Sequence, residues 1–182
     1  MIDFIVGAAP ELLKLPAAAV PERADDLWRH TCFELFLREP EGEAYREFNF
    51  SPSGQWAAYA FDGYRTGRRS LEVNPPSIVS NDPAQFFTGM DARLQSLGLD
   101  VESIGALLAA TPPPPAAMQY GLQAVLEDPA MADGRDWRAG LSAIIEEADG
   151  TKSWWALAHP PGKPDFHHPD CFALELPAPD GA

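Results

Sequence analysis

Apolar residues recur along this chain with a period of two, in short runs that glycine, proline or an acidic turn brings to an end. That period marks a β-strand with one buried face, because successive side chains leave the backbone on opposite sides. Residues 2–6 open the series. Residues 31–37 are apolar on both parities except at Glu34, the pattern of an inner strand covered on both faces. Phe48 and Phe50 then oppose Glu47, Asn49 and Ser51 in parity. Pro52-Ser53-Gly54 supplies tight-turn chemistry, and residues 55–61 form a further strand ended by Asp62-Gly63. Later in the chain, Ala139, Leu141, Ala143 and Ile145 alternate with Arg138, Gly140, Ser142 and Ile144. Residues 152–158 return as the second strand of a hairpin with a loop of about five residues. Residues 171–176 read as the last strand.

Between these two regular ends the pattern weakens. Residues 7–24, rich in proline and alanine, read as an extended connection. A short strand is expected at 78–79 and another where Met118, Tyr120, Leu122, Ala124 and Leu126 share one parity. Residues 90–95 read as a strand and 101–110 as a short helix, followed by Thr111 and four prolines that form a rigid spacer. The expectation is an all-β fold. It is an antiparallel β-sandwich, immunoglobulin-like or jelly-roll-like, of about eight to ten strands with at most one short helix. Residues 31–37 and 171–176 should both be strands of it, with Phe33, Leu35, Ile145 and Leu174 in the core.

Composition narrows the function classes. At 182 residues, with 46% apolar and 22% charged positions, the chain suits one domain spanning 1–182. A net charge of −14 argues against nucleic acid or an anionic membrane as partner, since both call for concentrated Lys and Arg. No apolar run approaches the ~18 residues of a membrane span. No signal peptide is visible at the N-terminus, so a cytoplasmic location is expected. Cys32 and Cys171 sit in apolar runs and are expected to be buried, reduced thiols. Composition leaves the oligomeric state open.

Three segments carry a resemblance. They are Leu27-Trp28-Arg29-His30-Thr31-Cys32-Phe33-Glu34, Glu47-Phe48-Asn49-Phe50-Ser51-Pro52-Ser53-Gly54, and Trp155-Ala156-Leu157-Ala158-His159-Pro160 with Pro164-Asp165-Phe166-His167. Together they resemble the bacterial DOMON-like proteins, relatives of the type 9 carbohydrate-binding modules. The resemblance covers about half the chain, at its two ends. It implies a β-sandwich of about ten strands, in which relatives bind sugars or haem in a pocket on one sheet. The chain departs from the pattern in two places. Relatives carry further strand sequence before the Trp28 region, and residues 85–133 match poorly, as an insertion would.

The residues that could bind are of the kinds that hold sugars, aromatic faces for the C–H face of a ring and polar side chains around the rim. Trp28, Trp56, Tyr59 and Tyr64 are candidates, with one of Trp154 or Trp155; those two are adjacent in a strand and must point to opposite faces. Glu34, amid apolar neighbours, must find a partner: Arg46 or Arg65 on a structural reading, a ligand on the functional one. Asn49 carries the same two readings. Arg65, Arg68 and Arg69 form either a solvated loop or an anion site. His159, His167 and His168, with Asp165 and Asp170, form either a structural loop or a metal site, although their spacing matches no strong zinc signature. Haem would require an axial His or Met, and Met90, Met118 and Met131 all lie in the poorly matching middle. No nucleophile elbow, P-loop or Rossmann fingerprint is present. Glu34 with Glu47 or Asp62 could form a glycosidase pair if about 5–10 Å apart.

The reading favoured is a non-enzymatic module for a small ligand, a saccharide or sugar-containing metabolite. Its ligand-binding set is Trp28, Glu34, Asn49, Trp56, Tyr59, Arg65, Trp155, His159, Asp165 and His167, with no catalytic residue, metal or cofactor. The alternatives are a structural or protein-interaction sandwich, and a metal-dependent enzyme centred on the loop 159–170.

Overall fold

The most apolar run of the chain becomes the middle of a sheet. In the structure, a computed structural model that describes residues 1–8, 10–80, 120–128 and 134–178, the strands in chain order are β1 (Ile2–Val6), β2 (Cys32–Arg38), β3 (Tyr45–Phe50), β4 (Trp56–Phe61), β5 (Arg69–Ser70), β6 (Ser77–Ser80), β7 (Tyr120–Val125), β8 (Trp137–Glu146), β9 (Lys152–Ala156) and β10 (Leu174–Leu176). They form an all-β sandwich of two antiparallel sheets. The smaller has the order β1-β7-β6 and the larger β10-β8-β2-β3-β4-β5, with β9 also on β8. Three single 3₁₀ turns, Pro10–Leu12, Leu27–Arg29 and Pro169–Cys171, are the helical segments among the described residues. No helix of the described residues is long and apolar enough to cross a membrane.

β2 is buried on both faces for the reason its sequence suggests. Phe33, Leu35 and Leu37 point into the sandwich, where they join Phe48, Phe50, Trp56 and Ala58 of the same sheet and Tyr120, Leu122 and Ala124 of the other. Phe33 stacks on Tyr120 at 6.0 Å and meets Phe4 at 5.0 Å, so aromatic contacts tie the two layers together. The opposite parity of the same strands, Phe36, Tyr45, Ala57, Tyr59 and Phe61, builds a second apolar cluster with Phe166 and Phe172 on the outer face.

β8 carries two strands on one edge. Residues 142–146 pair with β9 and residues 137–139 with β10, while the other edge pairs with β2. The change of partner falls at Gly140, where a Cβ would lie 2.7 Å from the carbonyl oxygen of Cys171. Only a residue without a side chain lets the incoming chain pass that closely.

Three expectations need correction. Residues 171–176 are not one strand: Pro169, whose fixed φ suits a first turn, starts a 3₁₀ turn capped by His168, and pairing begins at Leu174. Leu174 lies exposed on a sheet edge and is no part of the core, whereas Phe33, Leu35 and Ile145 are. The connection 7–24 is extended except for its 3₁₀ turn, and its second half runs beside β4 through Trp56 N–H to the Glu22 carbonyl and Ala24 N–H to the Trp56 carbonyl. The strand expected at 90–95, the helix at 101–110, the proline spacer and Met118 lie outside the described residues. Cys32 and Cys171 are buried free thiols.

Candidate functional site

The outer face of the large sheet holds polar groups that the register brings together. Glu34 on β2 stands opposite Asn49 on β3 and Ser142 on β8, and Glu47 stands opposite Phe36 and Tyr59. Ser142 Oγ donates to Glu34 Oε2 at 2.8 Å, and Asn49 Nδ2 donates to Glu47 Oε1 at 2.6 Å. Both carboxyls are nearly out of solvent, Glu34 at 3% exposure and Glu47 at 6%. Burial, aided by the Glu47 charge, pushes Glu34 up to about 8 against the Ser142 hydrogen bond. Burial likewise raises Glu47, against its bond from Asn49.

The loop after β9 is laid across this face and anchored by His167. Its ring sits edge-on to Phe36, Tyr45 and Phe61 at 5.2, 5.8 and 5.2 Å, with Nδ1 2.7 Å from the Tyr45 hydroxyl. Burial and the Arg65 charge hold this imidazole down at about 4, so it is neutral near pH 7. Asp165 bonds Arg65 at 2.7 Å and accepts from the Tyr64 hydroxyl. Burial would raise the Asp165 carboxyl, but these two partners outweigh it and lower it.

Between loop and sheet is a cavity of about 380 Å³, within the range of roughly 300–1,000 Å³ usual for small-molecule sites. Glu34, Glu47, Phe36 and Tyr59 line its floor, Phe61, Ile144, Phe166 and His167 its walls, and Trp28, Trp154, Arg65, Arg68, Pro164 and Asp165 complete the lining. Trp28 and Trp154 are each 48% exposed. Trp28 is presented by the Leu27–Arg29 turn and lies under Arg29, whose guanidinium is 5.3 Å from its ring centroid. Arg68 stacks on Tyr59 at 4.0 Å, and the Tyr59 hydroxyl bonds Asp25. The two non-glycine residues with positive φ among those described are Asp26 (62°), which precedes the Trp28 turn, and Arg65 (54°). Such left-handed backbone costs roughly 1–2 kcal/mol per residue and clusters at functional sites.

Of the residues singled out from the sequence, Trp28, Glu34, Tyr59, Arg65, Asp165 and His167 meet at this cavity. Asn49 lies beneath it, holding Glu47. Trp56 does not reach it: its parity turns it into the sandwich, 7% exposed, beneath Arg23. Trp155, 62% exposed, points to the other side, where with Phe4, Val6 and Leu13 it lines a second, mostly apolar cavity of about 540 Å³. His159 packs near Phe166, 6.0 Å between rings, and is not part of the lining. Neither arginine expected to pair with Glu34 bonds it: Arg46 pairs with Asp128 and Arg65 with Asp165. Of the Trp154–Trp155 pair it is Trp154 that joins the lining, and Arg68 of the basic cluster joins it too, while Phe36, Phe61 and Phe166 belong to the lining and were not singled out from the sequence. The parity of Glu34 would have found Phe36, and that of Tyr59 would have found Phe61.

His168 Nδ1 accepts from the Asp170 amide at 3.2 Å, and among the described residues no three His, Cys, Asp or Glu converge where an ion could be held. No family model, curated protein or solved structure matches this chain.

Proposed function

We propose that this sandwich is a small-ligand-binding module of DOMON-like kind, and that its ligand is a saccharide or sugar-containing metabolite held on the outer face of the large sheet. One observation carries the reading: two half-exposed indoles, Trp28 and Trp154, stand over a cavity floored by two buried carboxyls. Indole faces meet the C–H face of a sugar ring, and carboxyls, Arg65 and Arg68 bond its hydroxyls. A purely structural sandwich would use its tryptophans as core. Trp56 and Trp137 serve that way, while Trp28 and Trp154 do not. The ligand proposed is an intracellular one, in keeping with a cytoplasmic location.

A thermal-shift and intrinsic-fluorescence screen against mono- and disaccharides and nucleotide sugars tests this, because a ligand specific for the folded state raises the melting temperature. Trp28→Ala and Trp154→Ala should remove the response and leave the unliganded melting temperature close to wild type. A response retained in both variants would place the ligand elsewhere.

A further inference from the structure

We propose that the group recognised at the floor of this cavity is a protonated amine, so that within the saccharide reading, on which this inference rests, the ligand is an amino sugar. The argument starts from which charges around the cavity already have partners. Arg65 is matched by Asp165 at 2.7 Å. Arg68 lies 3.8 Å from Asp25 and stacks on Tyr59. His167 packs against three aromatic rings, and its Nε2 stays 3.9 Å from Glu47 Oε2, beyond hydrogen-bond distance. Glu34 and Glu47 are left, two acids that form no ion pair of their own among the described residues and feel Arg65 and, for Glu47, Arg68 only through space.

Their hydrogen bonding is incomplete in the same sense. Ser142 satisfies Glu34 Oε2 and Asn49 satisfies Glu47 Oε1. Glu34 Oε1 and Glu47 Oε2 accept nothing from the described residues, and both side chains border the cavity. Glu34 faces Asn49, and Glu47 is two residues along β3 on the same face. That diagonal separates Cα atoms by about 7–8 Å, with the side chains closer. An ammonium carries three donors and no acceptor, so one can bond both open oxygens and leave a donor for the ligand itself. Trp154 in the lining favours the same charge, because a cation is attracted to an aromatic face, whereas Trp28 and Tyr59 already face Arg29 and Arg68. The chain's net charge of −14 adds a long-range pull on a cation. A neutral polyol would leave two buried acids to be neutralised by protons; an amine supplies the charge that burial withholds.

The test is calorimetric titration of the whole protein at pH 7 with matched pairs. Glucose, galactose and mannose are compared with their 2-amino-2-deoxy counterparts and the N-acetyl derivatives, and cyclohexanol with cyclohexylamine. The amine should bind at least about tenfold tighter than its hydroxyl partner, and N-acetylation should abolish the advantage. The Glu34→Gln/Glu47→Gln variant, with its fold checked by circular dichroism, should lose it too. Binding should also release protons from the floor carboxyls, seen as an enthalpy that varies with the ionisation enthalpy of the buffer. Equal affinity of amine and hydroxyl sugars would overturn the amine and leave the saccharide reading standing. Tight binding of amino sugars and cyclohexylamine alike, with none of the hydroxyl compounds, would uphold the amine and remove the saccharide. Amine binding untouched by the double substitution would overturn the inference, as would no binding at all, which would also remove the saccharide reading.

Discussion

Glu34→Gln separates the charge of the floor from its shape. Glutamine keeps the volume and can still accept from Ser142, so the packing on β2 should survive. What changes is the coupling of folding to protons. A carboxyl that titrates at about 8 in the fold and about 4.5 in the unfolded chain contributes fully below 4.5 and is lost as the pH rises through 8. His167 works in the opposite direction: held at about 4 against 6.5, it makes the fold gain stability as the pH rises from about 4 to 6.5. The window from pH 6.5 to 8 therefore leaves the histidine out, and comparing wild type with Glu34→Gln there separates Glu34 from Glu47, which burial also raises. One proton over a little more than one pH unit there, at about 1.4 kcal/mol per unit, comes to roughly 1.5–2 kcal/mol. In urea denaturation the wild-type protein should lose that amount between pH 6.5 and 8, and Glu34→Gln should lose much less. Parallel stability curves for the two proteins would mean that Glu34 already titrates as a solvated acid, and the account of the floor as two carboxyls without an ion pair would fall with it.

Other outcomes follow from the same structure. Trp56→Ala should cost about 3–5 kcal/mol in chemical denaturation, while Trp28→Ala and Trp154→Ala should each cost under about 1 kcal/mol because half of each side chain is already in solvent. Glu146, held down at about 2 by hydrogen bonds from Lys14 and His30, contributes stability that is present above about 4.5 and lost as the pH falls through 2; Glu146→Gln should flatten the wild-type acid-unfolding curve in that window. Gly140→Ala should lower the urea midpoint by the equivalent of about 1–3 kcal/mol, since its Cβ would meet the Cys171 carbonyl oxygen at 2.7 Å.

How far the residues announced this arrangement depended on what a period of two can convey. β2, β3, β4, β8 and the hairpin to β9 were legible, because clean alternation and turn residues coincide there. Glu34 was legible as a lone acid in an apolar run. Parity, however, says which side chains share a face and not which face becomes the core. Trp56 and Tyr59 look equally suited to a ligand in the sequence, yet they lie on opposite sides of β4, Trp56 in the sandwich and Tyr59 in the cavity. Glu47 reads as the wet side of an amphipathic strand. It is buried because the loop around Phe166 and His167 crosses above it, and that loop has no periodicity to announce its path. The same aperiodicity hid the 3₁₀ turn at Pro169–Cys171, which shortened the final strand.

The place of β8 in the large sheet also sets when the molecule can be finished. β2 meets β3 across a short turn, but its other edge waits for β8, and the Glu34–Ser142 bond joins residues 108 positions apart. On a ribosome, β2, β3 and β4 emerge as a meander with an unpaired apolar edge well before the strand that covers it has been made. Such an edge is a template for pairing with another chain. A sandwich so rich in distant pairings is also expected to fold slowly, in milliseconds to seconds. Chains that stop before Trp137 should therefore collect in aggregates, and the nascent protein should lean on chaperones until β8 is released. The strand that supplies Ser142 to the cavity floor is also the one that ends the exposure of the half-made chain.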